Sequence, residues 1–334
     1  MRKTLFVGAL LLMLSLLLAA CSTPAPTAVV TEAPTAVPCP TCPPIPECPT
    51  CPDPIVKDVP VQDEWANSPH ADAESEAFIH WNEDDPAEVP ASCAKCHSTP
   101  GYLDFVGADG SAAGAVDVAS PIGSVVECVA CHNAATATKT SVVFPSGVEV
   151  TGLGAEARCM ECHQGRASSV QVNAALEENG LTEDLDTPSA DLRFINIHYY
   201  AAASTLYGTQ TKGGYEYAGK TYDFKNDHVE GYDTCIGCHN SHTLELKVDA
   251  CATCHTGVTS VEDVRAIRMQ GSQVDYDGDG DLTEGIAAEV DGLIAMLYQA
   301  MQAYSTEKAG TAIAYDSSSY PYFFIDGNAN GTVD

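Results

Sequence analysis

Apolar and polar positions divide the chain into unlike stretches. An apolar run from Leu5 to Ala20 follows Arg2 and Lys3, which is the layout of a secretory leader. From Ser22 to Pro60 periodicity disappears: 12 of the 20 prolines fall in these 39 residues, among Thr, Ala and Val, so neither helix nor sheet can form. The stretch predicts an extended stalk, able to reach on the order of 100 Å at about 3.1 Å per residue. Beyond it the pattern predicts a short helix over Ala71–Trp81, a hairpin over Ser141–Val150 turning at Pro145-Ser146-Gly147, and a helix over Val170–Asn179 ended by Gly180. Ser260-Val-Glu-Asp263 opens another helix with a capping box. Ile286, Val290, Leu293, Ile294, Leu297 and Met301 then recur at helical spacing.

Composition changes this picture in two ways. With 46 acidic against 15 basic side chains in 334 residues, a formal charge of −31, the surface repels phosphate backbones, which excludes nucleic-acid binding and points to basic protein partners. The 45% of hydrophobic residues includes every Cys and many Ala, while aromatics are only 7%, so a side-chain core would be thin. Something other than side chains is expected to fill the interior.

The 15 cysteines supply the candidate chemistry. Leu18-Ala19-Ala20-Cys21 resembles a bacterial lipobox, which implies acylation of Cys21 and a lipid anchor on the periplasmic or extracellular side. An ordinary signal peptide or a single transmembrane helix are the alternatives, but the apolar run is short for a span and small residues precede Cys21. In the stalk, Cys39-Pro-Thr-Cys42 and Cys48-Pro-Thr-Cys51 could form disulfides, including links between chains, or bind zinc, or do neither. Neither pair is followed by His.

The other ten all fall in one pattern: Cys93-Ala-Lys-Cys96-His97, Cys128-Val-Ala-Cys131-His132, Cys159-Met-Glu-Cys162-His163, Cys235-Ile-Gly-Cys238-His239 and Cys251-Ala-Thr-Cys254-His255. Two thiols at this spacing reach the two vinyl groups of one haem while the next imidazole turns onto its iron. Zinc knuckles and redox dithiols do not require a His after every pair. Five such motifs resemble the multihaem c-type cytochromes of bacterial envelopes, over about residues 70 to 255. The resemblance implies five covalent haems, electron transfer along them, and a mostly irregular fold of short α-helices and small β-hairpins wrapped around a stack of porphyrins. It divides the chain into a leader (1–20), a stalk (21–60), a pentahaem domain (61–258) and a helical C-terminal region (259–334).

Five further histidines, His70, His80, His198, His228 and His242, match five haems in number and are the candidate sixth ligands. Methionine competes poorly, because Met160 lies inside a motif and Met269, Met296 and Met301 lie beyond the last one. His242, three residues after His239, is expected to serve a neighbouring haem. Arg158 and Arg166, which bracket the third motif, are candidate partners for haem propionates. All five motifs carry His, unlike the pentahaem nitrite reductases that this chain resembles in haem number but that use a Lys in place of one motif His. A carrier is therefore favoured over a reductase of a nitrogen oxyanion or an extracellular metal oxide. A haem-bearing filament, linked through the stalk, is a third reading.

After the motifs, Asp275-Tyr-Asp277-Gly-Asp279-Gly280-Asp281-Leu282-Thr283-Glu284 resembles an EF-hand loop and implies a calcium ion held by Asp275, Asp277, Asp279, Asp281, Thr283 and Glu284. It departs from the pattern at position twelve, where Ile286 replaces the bidentate Glu; Glu284 or Glu289 could substitute. Asp326-Gly-Asn328-Ala-Asn330-Gly331-Thr332 begins the same pattern and reaches only its ninth position at Asp334, which suggests a truncated reading frame or a terminal turn without metal.

Overall fold

The structure, a computed structural model, describes residues 59–183, 186–268 and 271–333. The leader, Cys21, the four stalk cysteines and Met269 lie outside the described residues. Thirteen α-helices occur among the described residues, nearly all of one or two turns: α1 (Gln62–Ala66), α2 (Glu76–Ile79), α3 (Ala91–His97), α4 (Thr99–Phe105), α5 (Cys128–Cys131), α6 (Ala134–Thr138), α7 (Ala157–His163), α8 (Ser169–Glu178), α9 (Ala202–Tyr207), α10 (Cys235–Cys238), α11 (Val248–Cys251), α12 (Val261–Arg265) and α13 (Ile286–Tyr304). A 3-10 turn (Gly154–Glu156), a π-helical turn (Ser305–Ala309) and three two-stranded antiparallel ladders complete the elements: β1 (Glu88–Val89) with β2 (Ser120–Pro121), β3 (Ser141–Val143) with β4 (Glu149–Thr151), and β5 (Ile313–Tyr315) with β6 (Phe323–Ile325). No described helix is long and apolar enough to cross a membrane.

Local chemistry explains where the elements stop. The helix predicted over Ala71–Trp81 shrinks to α2 because Ser75 is extended, at ψ 138°, and starts a new turn. The predicted hairpin pairs Val142 with Val150, and Gly147, at φ +83°, turns it. Helix α8 opens on a capping box in which Ser168 and Gln171 exchange hydrogen bonds, and Gly180, at φ +67°, follows its end. The Ser260–Asp263 box caps α12 in the same way.

The buried apolar residues form small clusters. The larger comprises Val142, Phe144, Val150, Leu153, Ala157, Met160, Ala203 and Tyr207, and joins the β3–β4 hairpin to α7 and α9. The smaller holds Trp81, Val89 and Ala94. Both touch a Cys-x-x-Cys-His helix, so the side-chain packing serves to seat motifs. By contrast, the apolar stripe of α13 stays exposed, with Ile294 at 59% and Leu297 at 61%. The segment after the fifth motif meets the rest through Tyr322, whose ring stands edge-on to Tyr199 at 5.8 Å, and through an ion pair of Lys308 with Asp186 at 2.8 Å.

Candidate functional site

Four of the Cys-x-x-Cys-His motifs lie on a helical turn, and the fifth continues α11 as a turn past Cys251. The backbone N–H of His132, His239 and His255 donates to the carbonyl of the first cysteine of its motif at 2.9, 2.7 and 2.9 Å. Positions i, i+3 and i+4 of a helix share a face, so each turn offers two thiols and an imidazole together. None of the ten described cysteines is in a disulfide.

Second contacts fix the imidazoles. Nδ1–H of His97 donates to the carbonyl of Ala77 (2.8 Å), that of His163 to Tyr200 (3.1 Å) and that of His239 to Leu244 (2.9 Å). This tautomer leaves the Nε2 lone pair free to bind a metal, and it is how metal-binding histidines are commonly held. Two of the three carbonyls belong to residues in the left-handed region, Tyr200 at φ +50° and Leu244 at φ +66°. His198 itself sits at φ +88°. Non-glycine residues there cost on the order of 1–3 kcal/mol each, so the surrounding fold must impose them.

The long-range geometry brings motif histidines opposite the other histidines. Ring centres of His70 and His163 lie 6.4 Å apart, those of His132 and His242 6.2 Å, those of His228 and His255 6.2 Å, and those of His97 and His198 5.7 Å. In the last pair the Nε2 atoms face each other at 3.5 Å. Two imidazole nitrogens sharing one metal at about 2 Å each lie about 4 Å apart, which sets the ring centres roughly 6 Å apart. All four pairs have that spacing. Burial, and then the facing His163, lower His70 to about 4; burial likewise lowers His97 and His198. Neutral imidazole is the form that binds iron. His239 and His80 are not brought together: His80 holds Glu76 at 2.8 Å and stands edge-on to Trp81, beside the first motif.

The motifs also touch one another. The thiol of Cys96 donates to the carbonyl of Cys162 (4.0 Å), and that of Cys162 to the carbonyl of Lys95 (3.8 Å). Arg158 donates to the carbonyl of Cys131 (3.3 Å), and the backbone N–H of Cys235 donates to Glu156 (2.9 Å). Lys247, beside the fifth motif, donates its N–H to the carbonyl of Cys238 (2.8 Å). The third motif thus adjoins the first, second and fourth, and the fourth adjoins the fifth. Glu161, between the cysteines of the third motif, is buried and ion-paired with Lys95 of the first motif (3.3 Å) and with Lys139 (2.8 Å). Sequence reasoning passed over this group, whose only signal was an acid inside the motif. Arg166 lies near His97 and His198, contributing to the lowering of both.

No family model matches the chain, and no solved structure matches it. The C-type polyheme cytochrome OmcB of Geobacter sulfurreducens is 26% identical across 77% of this chain, and the C-type polyheme cytochrome OmcC of the same organism is 26% identical across 79%. The chain is similar in sequence to these polyhaem c-type cytochromes. It spans 37% of the length of each of these relatives. The thiol pairs, anchored imidazoles and facing histidines are a donor set that fits c-type haem.

In the C-terminal region the acidic loop is folded around its own backbone. Asp275 accepts from the N–H groups of Gly278 (2.6 Å) and Gly280 (2.9 Å), Asp279 from Asp281 (2.7 Å), and Asp281 from Thr283 (2.7 Å). Carboxylate oxygens of Asp277, Asp279 and Glu284 converge within 4.8 Å, as do those of Asp275, Asp277 and Glu289. Burial and then the neighbouring carboxylates push Glu284 above its ordinary value. Glu289 is fully buried, accepts from the N–H of Tyr276 and Asp277, and is ion-paired with Arg268.

Proposed function

We propose that this chain is an exported electron-transfer protein that binds five c-type haems and passes electrons between them. The observation that carries the reading is the set of four facing imidazole pairs at the spacing two ligands of one metal require. Haem, when bound, supplies one-electron iron chemistry with no bond to make or break. The protein's part is to hold Cys93 and Cys96, Cys128 and Cys131, Cys159 and Cys162, Cys235 and Cys238, and Cys251 and Cys254 as thioether sites, with His97, His132, His163, His239 and His255 as proximal ligands. His198, His242, His70 and His228 are then distal ligands of the first, second, third and fifth haems. An acidic surface favours a basic redox partner, and Cys21 would carry a membrane anchor. Calcium at Asp275, Asp277, Asp279, Asp281, Thr283 and Glu284 would brace the C-terminal region, with Glu289 kept by Arg268.

The test is haem quantitation with stepwise reductive titration of the purified mature protein. Five covalent haems per chain, one lost on replacing the cysteines of any one motif, are expected. A chain that matures normally in a haem-ligating host but carries no covalent haem refutes the reading.

A further inference from the structure

Ten histidines make an even count, yet the fold does not pair them evenly. Four motif histidines each face another histidine 5.7–6.4 Å away between ring centres. The fifth, His239, is held as His97 and His163 are, with Nδ1 on the carbonyl of Leu244 at 2.9 Å and Nε2 left free. Among the described residues no imidazole takes the position opposite it.

The tenth histidine is committed elsewhere. His80 follows α2, whose Ala77 carbonyl anchors His97. Its Nδ1 lies 2.8 Å from Glu76, its ring is 4.9 Å from Trp81, and Trp81 is 5.2 Å from His97. It therefore sits on the proximal side of the first site, where His198 already takes the distal side. Other donors near the fourth motif are engaged or distant in role: the Lys247 ammonium donates to the carbonyl of Ile236 at 2.6 Å, and Met160 is fully buried in the apolar cluster behind α7.

We propose that the haem held by Cys235, Cys238 and His239 keeps its sixth iron position for a small exogenous ligand: water on the ferric iron, and carbon monoxide or nitric oxide on the ferrous iron. The inference rests on the haem-binding reading above. It makes the fourth site chemically unlike the other four, able to bind a molecule and not only to pass an electron.

The test uses the full mature protein. Haem content, the low-temperature EPR spectrum of the oxidised form and a carbon monoxide titration of the dithionite-reduced form are measured together. Expected are five haems, one high-spin ferric signal per chain and uptake of one carbon monoxide. Replacement of Cys235 and Cys238 by Ala is expected to remove one haem and all carbon monoxide uptake, and His80→Ala to leave uptake at one. Five haems with all-low-spin iron and no uptake overturn the proposal, as does uptake that rises from none to one in His80→Ala, which would make His80 the sixth ligand. Uptake of two or more also overturns it. Fewer than five haems in the wild type is a failure of the haem-binding reading, visible before any gas is added; the spin count and titration require no variant to fold.

Discussion

Glu161→Gln isolates one buried charge with little change of shape. The carboxylate is 2% exposed and stands between two ammonium groups, Lys95 and Lys139, each 23% exposed. The Gln164 amide donates to the same Oε1 at 3.0 Å, and a glutamine oxygen can still accept that bond. What is lost is the negative charge, leaving two like charges facing each other across a neutral group. Removing one partner of a buried ion pair costs about 3–5 kcal/mol. Because the lysines keep part of their hydration, a loss of about 2–3 kcal/mol is expected here, or roughly 5–10 °C in melting temperature for a domain of this size. Thermal unfolding of the mature protein, followed by circular dichroism and Soret absorbance at fixed ionic strength, measures it. A second variant, with Lys95, Lys139 and Glu161 all changed to Met, strands no charge and should lose much less, since apolar replacement of a whole buried ionic group is often neutral. The reasoning is refuted if Glu161→Gln melts within about 1 °C of wild type, or if the triple variant is hurt equally.

Other perturbations test other parts. Gly165 has φ +80°, and a Cβ there would come within 2.7 Å of the Ile197 carbonyl, so Gly165→Ala should displace the segment bearing His198 and disturb the low-spin EPR signature of one haem; an unchanged spectrum refutes that role. Ser168→Ala should cost about 1 kcal/mol in urea unfolding by removing the α8 cap. Hydrogen bonds from Thr259 and Ser260 hold Asp263 below the ordinary carboxylate value, so its capping contribution is present above about pH 4 and is lost as pH falls through the depressed value. Hydrogen exchange in α12 should then accelerate relative to α8, whose box of Ser168 and Gln171 carries no charge; equal protection down to pH 3 would show that Asp263 does not titrate in the cap. Calcium added to chelator-treated protein should raise the melting temperature, and Asp277→Ala should abolish the rise; no shift at millimolar calcium would remove the ion from the account.

What could be read from sequence was what lies within one turn of chain. The Cys-x-x-Cys-His spacing, the two capping boxes and the Pro145–Gly147 turn are local, so residue type and spacing suffice. The facing of His97 by His198 joins residues 101 apart, and no period or motif encodes it. Counting made the ten histidines five and five, but only packing puts His80 beside Trp81 and leaves His239 unmatched. The helical period of α13 was legible, whereas the exposure of its apolar side was not, because periodicity gives a face without saying what covers it. Likewise, Glu289 was a possible loop ligand in sequence; its ion pair with Arg268 depends on how α12 and α13 meet.

The contacts of the third motif carry a consequence for connectivity. With the first, second and fourth motifs all against it, and the second also tied to the fourth through His132 and His242 and to the first through Glu127 and Thr99, the arrangement is a branched network with one extended arm, so wiring order departs from chain order. On the carrier reading, a lesion at Cys159 or Cys162 would remove the site with the most neighbours and force electrons through the second motif, whereas the same lesion at Cys251 or Cys254 would only shorten an arm.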